Sequence, residues 1–172
     1  GPTPVYALIH AATMVTAGVF LIIRCGTFFE LLPELKKIIL IIGGIKALFE
    51  GSTGMVQNDL KKVIAYSTRS QSGLMFFICG LSCYSLGFFH LLTHACFKAL
   101  LFLIAGALIH QMQDEQDLRK FGGLVVFLPF LSNTMLLGSF ALMGFPFLAG
   151  YYSKDLIIES ILLVDYDFSF FV

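Results

Sequence analysis

Long apolar stretches separated by short polar ones dominate the chain. Residues 5–23 and 38–56 form the first two, residues 86–109 and 124–145 are the clearest, and residues 63–81 make a weaker fifth. Each is near the roughly 20 residues that a helix needs to cross a ~30 Å hydrocarbon layer. A sixth stretch, residues 151–164, is too short to cross alone. None of these blocks shows the strict alternation of a transmembrane barrel strand, so the pattern predicts an all-α, polytopic membrane helix bundle. The connections are short, as in helical bundles. Residues 24–37 join the first two spans, with Pro33 as a breaker, and residues 111–123 are polar enough to require water. Asp59 stands where the N-cap of the third span is expected, its carboxylate placed to accept from free backbone N–H groups.

Two places leave the pattern open. By hydropathy alone Tyr66-Ser67-Thr68-Arg69-Ser70-Gln71-Ser72 reads as a loop, and the alternative is a polar helix buried among other helices. Near residues 144–150, Pro146 sits between Gly144 and Gly150, so the backbone loses a donor beside two flexible positions. A broken helix at membrane depth exposes backbone polar groups and commonly marks an ion pathway. The plainer alternative is a loop between two spans.

Composition narrows the class. Of 172 residues 58% are hydrophobic and 13% charged, about half the roughly 25% of a soluble domain. Lys plus Arg and Asp plus Glu are each 11, giving no net charge. A disordered chain, a disulfide scaffold and a nucleic-acid binder with a basic face are excluded. Arg24, Lys36 and Lys37 fall on one side of the membrane and Lys61, Lys62, Arg119 and Lys120 on the other, which sets no orientation. The opening Gly1-Pro2-Thr3-Pro4 and the end after Asp165 read as the inside of a longer chain.

The strongest chemical signal is His90, His94 and Lys98 at i, i+4 and i+8. On a helix each step of four rises ~6 Å and turns by only ~40°, so the three form one stripe about 12 Å long. A mid-membrane lysine costs roughly 2.5–3.5 kcal/mol on insertion scales. Burial brings the proton affinities of lysine and histidine closer together, which suits a proton path. The alternative is two hydrogen-bonded core histidines and a snorkelling lysine. In the first span His10 and Thr13 share a face. Lys61 and Lys62 open the third span, and Lys46 and Glu50 are spaced for an i,i+4 ion pair.

Competing chemistry has less support. A zinc-protease HExxH would need Glu at position 91, which is Leu91. Bis-histidine haem ligation, with His10, His94 and His110 as candidates, makes an electron carrier the third functional class. No nucleotide loop, phosphate loop or iron–sulfur cysteine cluster is present.

Several long motifs carry a resemblance. They are Leu8-Ile9-His10-Ala11-Ala12-Thr13-Met14, Gln57-Asn58-Asp59-Leu60-Lys61-Lys62, and Phe89-His90-Leu91-Leu92-Thr93-His94-Ala95-Cys96-Phe97-Lys98. Asp114-Glu115-Gln116-Asp117 with Gly122-Gly123, and Gly144-Phe145-Pro146 with Tyr152-Ser153-Lys154-Asp155, add to them. From residue 1 to about 159 the chain resembles the antiporter-like membrane subunits of respiratory complex I, the NADH:ubiquinone oxidoreductase, in their subunit 5 branch.

The resemblance implies an antiporter-like fold of two inverted repeats, each with a broken helix. Residues 1–24 would end the first repeat and residues 25–172 would form most of the second. It implies a non-redox subunit that moves protons along a mid-membrane axis while quinone is reduced elsewhere. His10, Lys61, His90, His94 and Lys98 match that axis. Lys154 matches a lysine on the second broken helix near the proton exit, with Thr13 and Asp155 in support and Asp155 placed to cap the half-helix. No cofactor is expected in this chain; NADH, FMN, iron–sulfur clusters and ubiquinone belong to other subunits. The implied partners are other membrane-arm subunits, the remaining parts of the same subunit, and lipid. The implied location is the mitochondrial inner membrane, with a bacterial plasma membrane as the alternative. Lys46, Glu50, Arg69 and Ser72 depart from the family's usual apolar, small or uncharged residues. A subunit of a multi-subunit cation/proton antiporter is the runner-up, since it shares the same ancestry and axis.

Overall fold

The computed structural model describes residues 13–163, and these form an all-helical bundle. The helices are α1 (Val15–Arg24), α2 (Gly26–Glu30), α3 (Pro33–Met55), α4 (Leu60–Gly80), α5 (Tyr84–Gln111), α6 (Leu124–Phe127), α7 (Pro129–Met143) and α8 (Ala149–Leu163). A short 3₁₀ turn, Leu118–Lys120, interrupts the polar loop before α6. By length and apolar composition α3 and α5 can each cross a membrane, and α1 and α7 are shorter apolar helices.

The polar stretch 66–72 is helix, not loop: α4 runs through it without a break. Thr68, Gln71 and Ser72 are buried there. Several of its hydroxyls turn back onto helix carbonyls, as when Thr68 donates to the Ile64 oxygen at 2.8 Å and Ser72 to the Arg69 oxygen at 2.7 Å. These local bonds remove most of the cost of burying the side chains.

Close packing of α3 on α4 follows from small residues. A Cβ on Gly43 would lie 2.6 Å from the Phe77 nitrogen, and one on Gly73 would lie 2.7 Å from the Ala47 nitrogen. Only glycine allows the two backbones this contact, the usual device of helices that meet in a bilayer.

One expected span is divided. Residues 124–145 do not form a single helix: Leu128 takes φ −135°, ψ 64°, separating α6 from α7. Pro129 is the reason, because it has no N–H to donate and disfavours helical backbone at the residue before it. The second interruption lies where the sequence places it. Gly144 ends α7 in the left-handed region at φ 86°, and α8 begins again at Ala149. A Cβ on Gly150 would overlap the Ala141 carbonyl oxygen, so this restart presses directly on α7.

α5 is the centre of the bundle, packed against α1, α4, α7 and α8. Its buried face is layered. Leu91 joins Val19, Met75, Ile78, Cys79 and Ile157 in one apolar cluster. Leu101, Phe102, Ala105 and Ile109 join Leu60 and Ile64 in another. The buried polar residues Thr68, Gln71 and Ser72 of α4 and His94 and Lys98 of α5 fall between these two layers along their helices, with His90 beside Leu91 at the edge of the first.

Candidate functional site

The polar layer is built from three helices. Turns of four residues along α5 bring His90, His94 and Lys98 to one face, and all three are buried, with Lys98 and His90 at 0% exposure. α4 supplies Ser67 and Gln71, again one turn apart. α8 supplies Ser153, buried, and Lys154, half-buried.

Lys98 donates from Nζ to Ser67 Oγ at 2.5 Å and to the Ile64 carbonyl at 3.3 Å. His90 contacts Gln71 Oε1 through Nε2 at 3.2 Å and Ser153 Oγ through Nδ1 at 3.0 Å. Thr93 donates to Ser153 Oγ at 3.1 Å, tying the same turn of α5 to α8. His94 lies with its ring centroid 6.0 Å from that of His90 and edge-on to Phe97 at 5.3 Å. Both His94 nitrogens are buried without a hydrogen-bond partner among the described residues. A buried polar atom left so is costly, and a buried water is the ordinary way to satisfy it.

Lys154 donates to the Leu142 carbonyl at 2.5 Å. Leu142 is in the last turn of α7, where carbonyls lack helical partners and carry the negative end of the helix dipole. The break after Met143 thus provides the oxygen that holds this lysine. Among the described residues neither Lys98 nor Lys154 forms an ion pair.

The structure therefore brings together His90, His94 and Lys98 on one helix, with Ser153 and Lys154 arriving from another. The other sequence candidates stand as follows. Lys61 is half-buried in the first turn of α4 and makes no ion pair or hydrogen bond among the described residues. Asp155 sits in the second turn of α8, past the first-turn N–H groups, and does not cap the helix. Thr13 is exposed, just before α1, and its carbonyl accepts from Thr16 at 3.1 Å. His10 lies outside the described residues. His110 is exposed at the end of the helix that also carries His94, so these two cannot face one another across a haem. Among the described residues no three His, Cys, Asp or Glu side chains converge as a metal site.

Two pairings differ from the local expectation. Glu50 pairs with Arg69 of α4 at 2.6 Å, and Lys46 stacks over the Phe76 ring at 5.2 Å. Asp59 does occupy the N-cap of α4, but its carboxylate pairs with Lys62 at 2.7 Å in place of the backbone. Glu50 takes the guanidinium of Arg69 over the ammonium of Lys46, and Asp59 takes a charged side chain over the backbone amides.

Gln71, Ser67 and Ser153 are the site residues that sequence reasoning missed. Ser67 and Gln71 do share a helical face at i,i+4, but that signal needs the segment to be known as helix first.

Fold and site together define a polytopic helical membrane protein with a buried band of amines and imidazoles. Residues 1–172 match the family model described as NADH:quinone oxidoreductase/Mrp antiporter, transmembrane, and the chain belongs to that family. A Marchantia polymorpha protein named NADH-ubiquinone oxidoreductase chain 5 is 62% identical over 159 residues, covering 92% of this chain and 24% of that protein. A Phytophthora infestans protein of the same name is 64% identical over the same coverage. One from the animal Metridium senile is 59% identical, covering 26% of that protein. The chain thus spans about a quarter of the length of the curated relatives it matches.

Proposed function

We propose that this chain is the proton-translocating part of a membrane subunit of NADH:ubiquinone oxidoreductase. In this reading protons move along a band formed by His90, His94 and Lys98, with Lys154 at the exit and His10 and Lys61 extending the path. The observation that carries it is Lys98: it is fully buried, yet held by a hydroxyl and a carbonyl and, among the described residues, by no carboxylate. An ionisable side chain at such depth is by default part of an ion or proton path. An amine solvated by neutral oxygens loses no partner when its proton leaves.

Residues 1–24 would close a first antiporter-like repeat and residues 25–172 would supply most of a second. Redox chemistry, with NADH, FMN, iron–sulfur clusters and ubiquinone, would lie in other subunits. Further membrane-arm subunits would cover the helices, in the mitochondrial inner membrane. Support comes from relatives in a plant, an oomycete and an animal that share one name.

The test is purification of the intact assembly through a tag on this chain. A flavin-containing, NADH-oxidising arm is expected to co-purify, and sealed vesicles are expected to acidify on NADH addition. The family's description also includes Mrp antiporters. Cation/proton exchange without any flavin arm would replace the present reading with that one.

A further inference from the structure

Three helices meet at His90, and both nitrogens of its ring are engaged. Nε2 faces Gln71 Oε1 on α4 at 3.2 Å, and Nδ1 faces Ser153 Oγ on α8 at 3.0 Å. A neutral imidazole has one N–H and one lone pair, so the two contacts must be of opposite kinds. With the Gln71 oxygen at Nε2, that nitrogen donates and Nδ1 accepts from the Ser153 hydroxyl. Thr93 in turn donates to Ser153 at 3.1 Å. The chain then has one direction, from Thr93 through Ser153 and His90 to Gln71.

A second arrangement fits the same positions. Turning the Gln71 amide by half a rotation puts its NH₂ where the oxygen was, with no change of shape. It then donates to a bare Nε2. His90 carries its proton on Nδ1 and gives that hydrogen bond to Ser153. The Ser153 hydroxyl turns to the Ala149 carbonyl at 3.3 Å or the Gly150 carbonyl at 3.4 Å, both of which it already reaches. The contacts of His90 and Ser153 are kept in both arrangements. A carboxylate could only accept at this position and an ammonium could only donate; an amide does both and does not take the proton itself.

We infer that Gln71 is a positioning residue for His90, its amide turning to hold either neutral tautomer of the ring. The inference rests on the proton-translocating reading above. A proton reaches Nδ1, on the α8 side, through Ser153, whose hydroxyl gives its proton to the ring and takes one from hydronium or an ammonium donor. The Nε2 proton, on the α4 side, leaves to water as the Gln71 amide turns away from it. Charge and atoms balance, and no electron moves. His94 has no such clamp among the described residues, so its ring is the one able to turn between neighbours while His90 stays fixed.

The experiment uses the assembled complex in sealed vesicles with Gln71→Glu, Gln71→Met and Lys98→Ala. Glu keeps the shape and the acceptor, so a merely structural contact to Nε2–H survives in Gln71→Glu and pumping would be normal, which overturns the inference. The expected result is normal assembly with pumping lowered on the order of tenfold in both Gln71 variants. Infrared difference spectra between resting and turning-over wild-type complex give a readout independent of assembly. Bands of both neutral imidazole tautomers are expected, with the Nδ1–H band missing in Gln71→Glu. A wild-type spectrum in which only one tautomer appears overturns the inference. Lys98→Ala separates the two levels: full pumping by that variant overturns the underlying reading, whereas its loss beside normal pumping in Gln71→Glu removes the role of Gln71 alone.

Discussion

Two regions beside α4 hold charge, and they solve the problem differently. Between α3 and α4, Glu50 is 5% exposed and meets Arg69 at 2.6 Å, with the guanidinium lying over the Tyr66 ring and Lys46 over Phe76. Between α4, α5 and α8, Lys98 and Lys154 find only hydroxyl and carbonyl oxygens among the described residues. An ion pair gives a buried charge a counter-charge, and removing either member strands the other. An amine among neutral dipoles has no counter-charge to strand. In the proposed reading the first region stays as it is and the second exchanges a proton. The same α4 helix serves both, with Arg69 on one side and Ser67 and Gln71 on another.

The sharpest way to break this contrast is to fix the charge at Lys98. Lys98→Ala is expected to abolish proton pumping while the complex still assembles. Lys98→Arg should fail nearly as badly, because arginine keeps its charge and does not release its proton. Proton uptake per NADH in sealed vesicles measures both. Normal pumping by assembled Lys98→Arg would mean that Lys98 is as structural as Arg69.

Lys154 should show a smaller loss. Lys154→Ala is expected to lower pumping and quinone-reductase turnover together, with NADH oxidation by an artificial acceptor unchanged. Should Lys154→Arg be fully active and the alanine variant assemble poorly, the Leu142 carbonyl would merely be anchoring a snorkelling cation.

The paired region should respond in stability and not in pumping. Arg69→Leu leaves Glu50 buried without its partner, a loss below the about 3–5 kcal/mol of a fully buried pair because the Arg69 side chain is 54% exposed, and visible as less assembled complex. The double variant Glu50→Leu with Arg69→Leu is expected to recover much of the yield, since apolar residues can replace a buried pair at little cost. Pumping per assembled complex should equal wild type in both. A pumping defect there would join the two regions functionally.

The smallest effect belongs to a pair in water. The Arg119 side chain, followed by its backbone amide, pulls the Asp117 carboxyl down to about 2 from 3.8. A depressed carboxylate stabilises fully above its unfolded value and loses that contribution as pH falls toward the folded one. Asp117→Asn should therefore change the heat-inactivation temperature slightly, and equally at about pH 8 and about pH 5.5. A difference between those two values would show that the carboxyl titrates higher than its Arg119 contact implies.

Much of this was legible in the residues. Turn-by-turn spacing put His90, His94 and Lys98 on one face, and Gly144 with Pro146 marked the interruption that α8 follows. Both are local properties of helix period and backbone freedom, so they need no knowledge of neighbours. The i,i+4 pairing of Lys46 with Glu50 was equally local and did not form, because α4 presents Arg69 at shorter reach. Leu128 was read through as helix because hydropathy is blind to the backbone restriction that Pro129 imposes.

The sequence by itself determined an all-helical membrane chain with a titratable stripe on one apolar helix, since hydropathy and a 3.6-residue period are written in the residues one after another. Tertiary structure decided what that stripe meets. Ser67 and Gln71 come from α4, and Ser153 and the Leu142 carbonyl from beyond the last break. A hydrogen bond between helices depends on which faces pack together and at what depth, and glycines such as Gly43, Gly73 and Gly150 set those distances only once the helices are in contact.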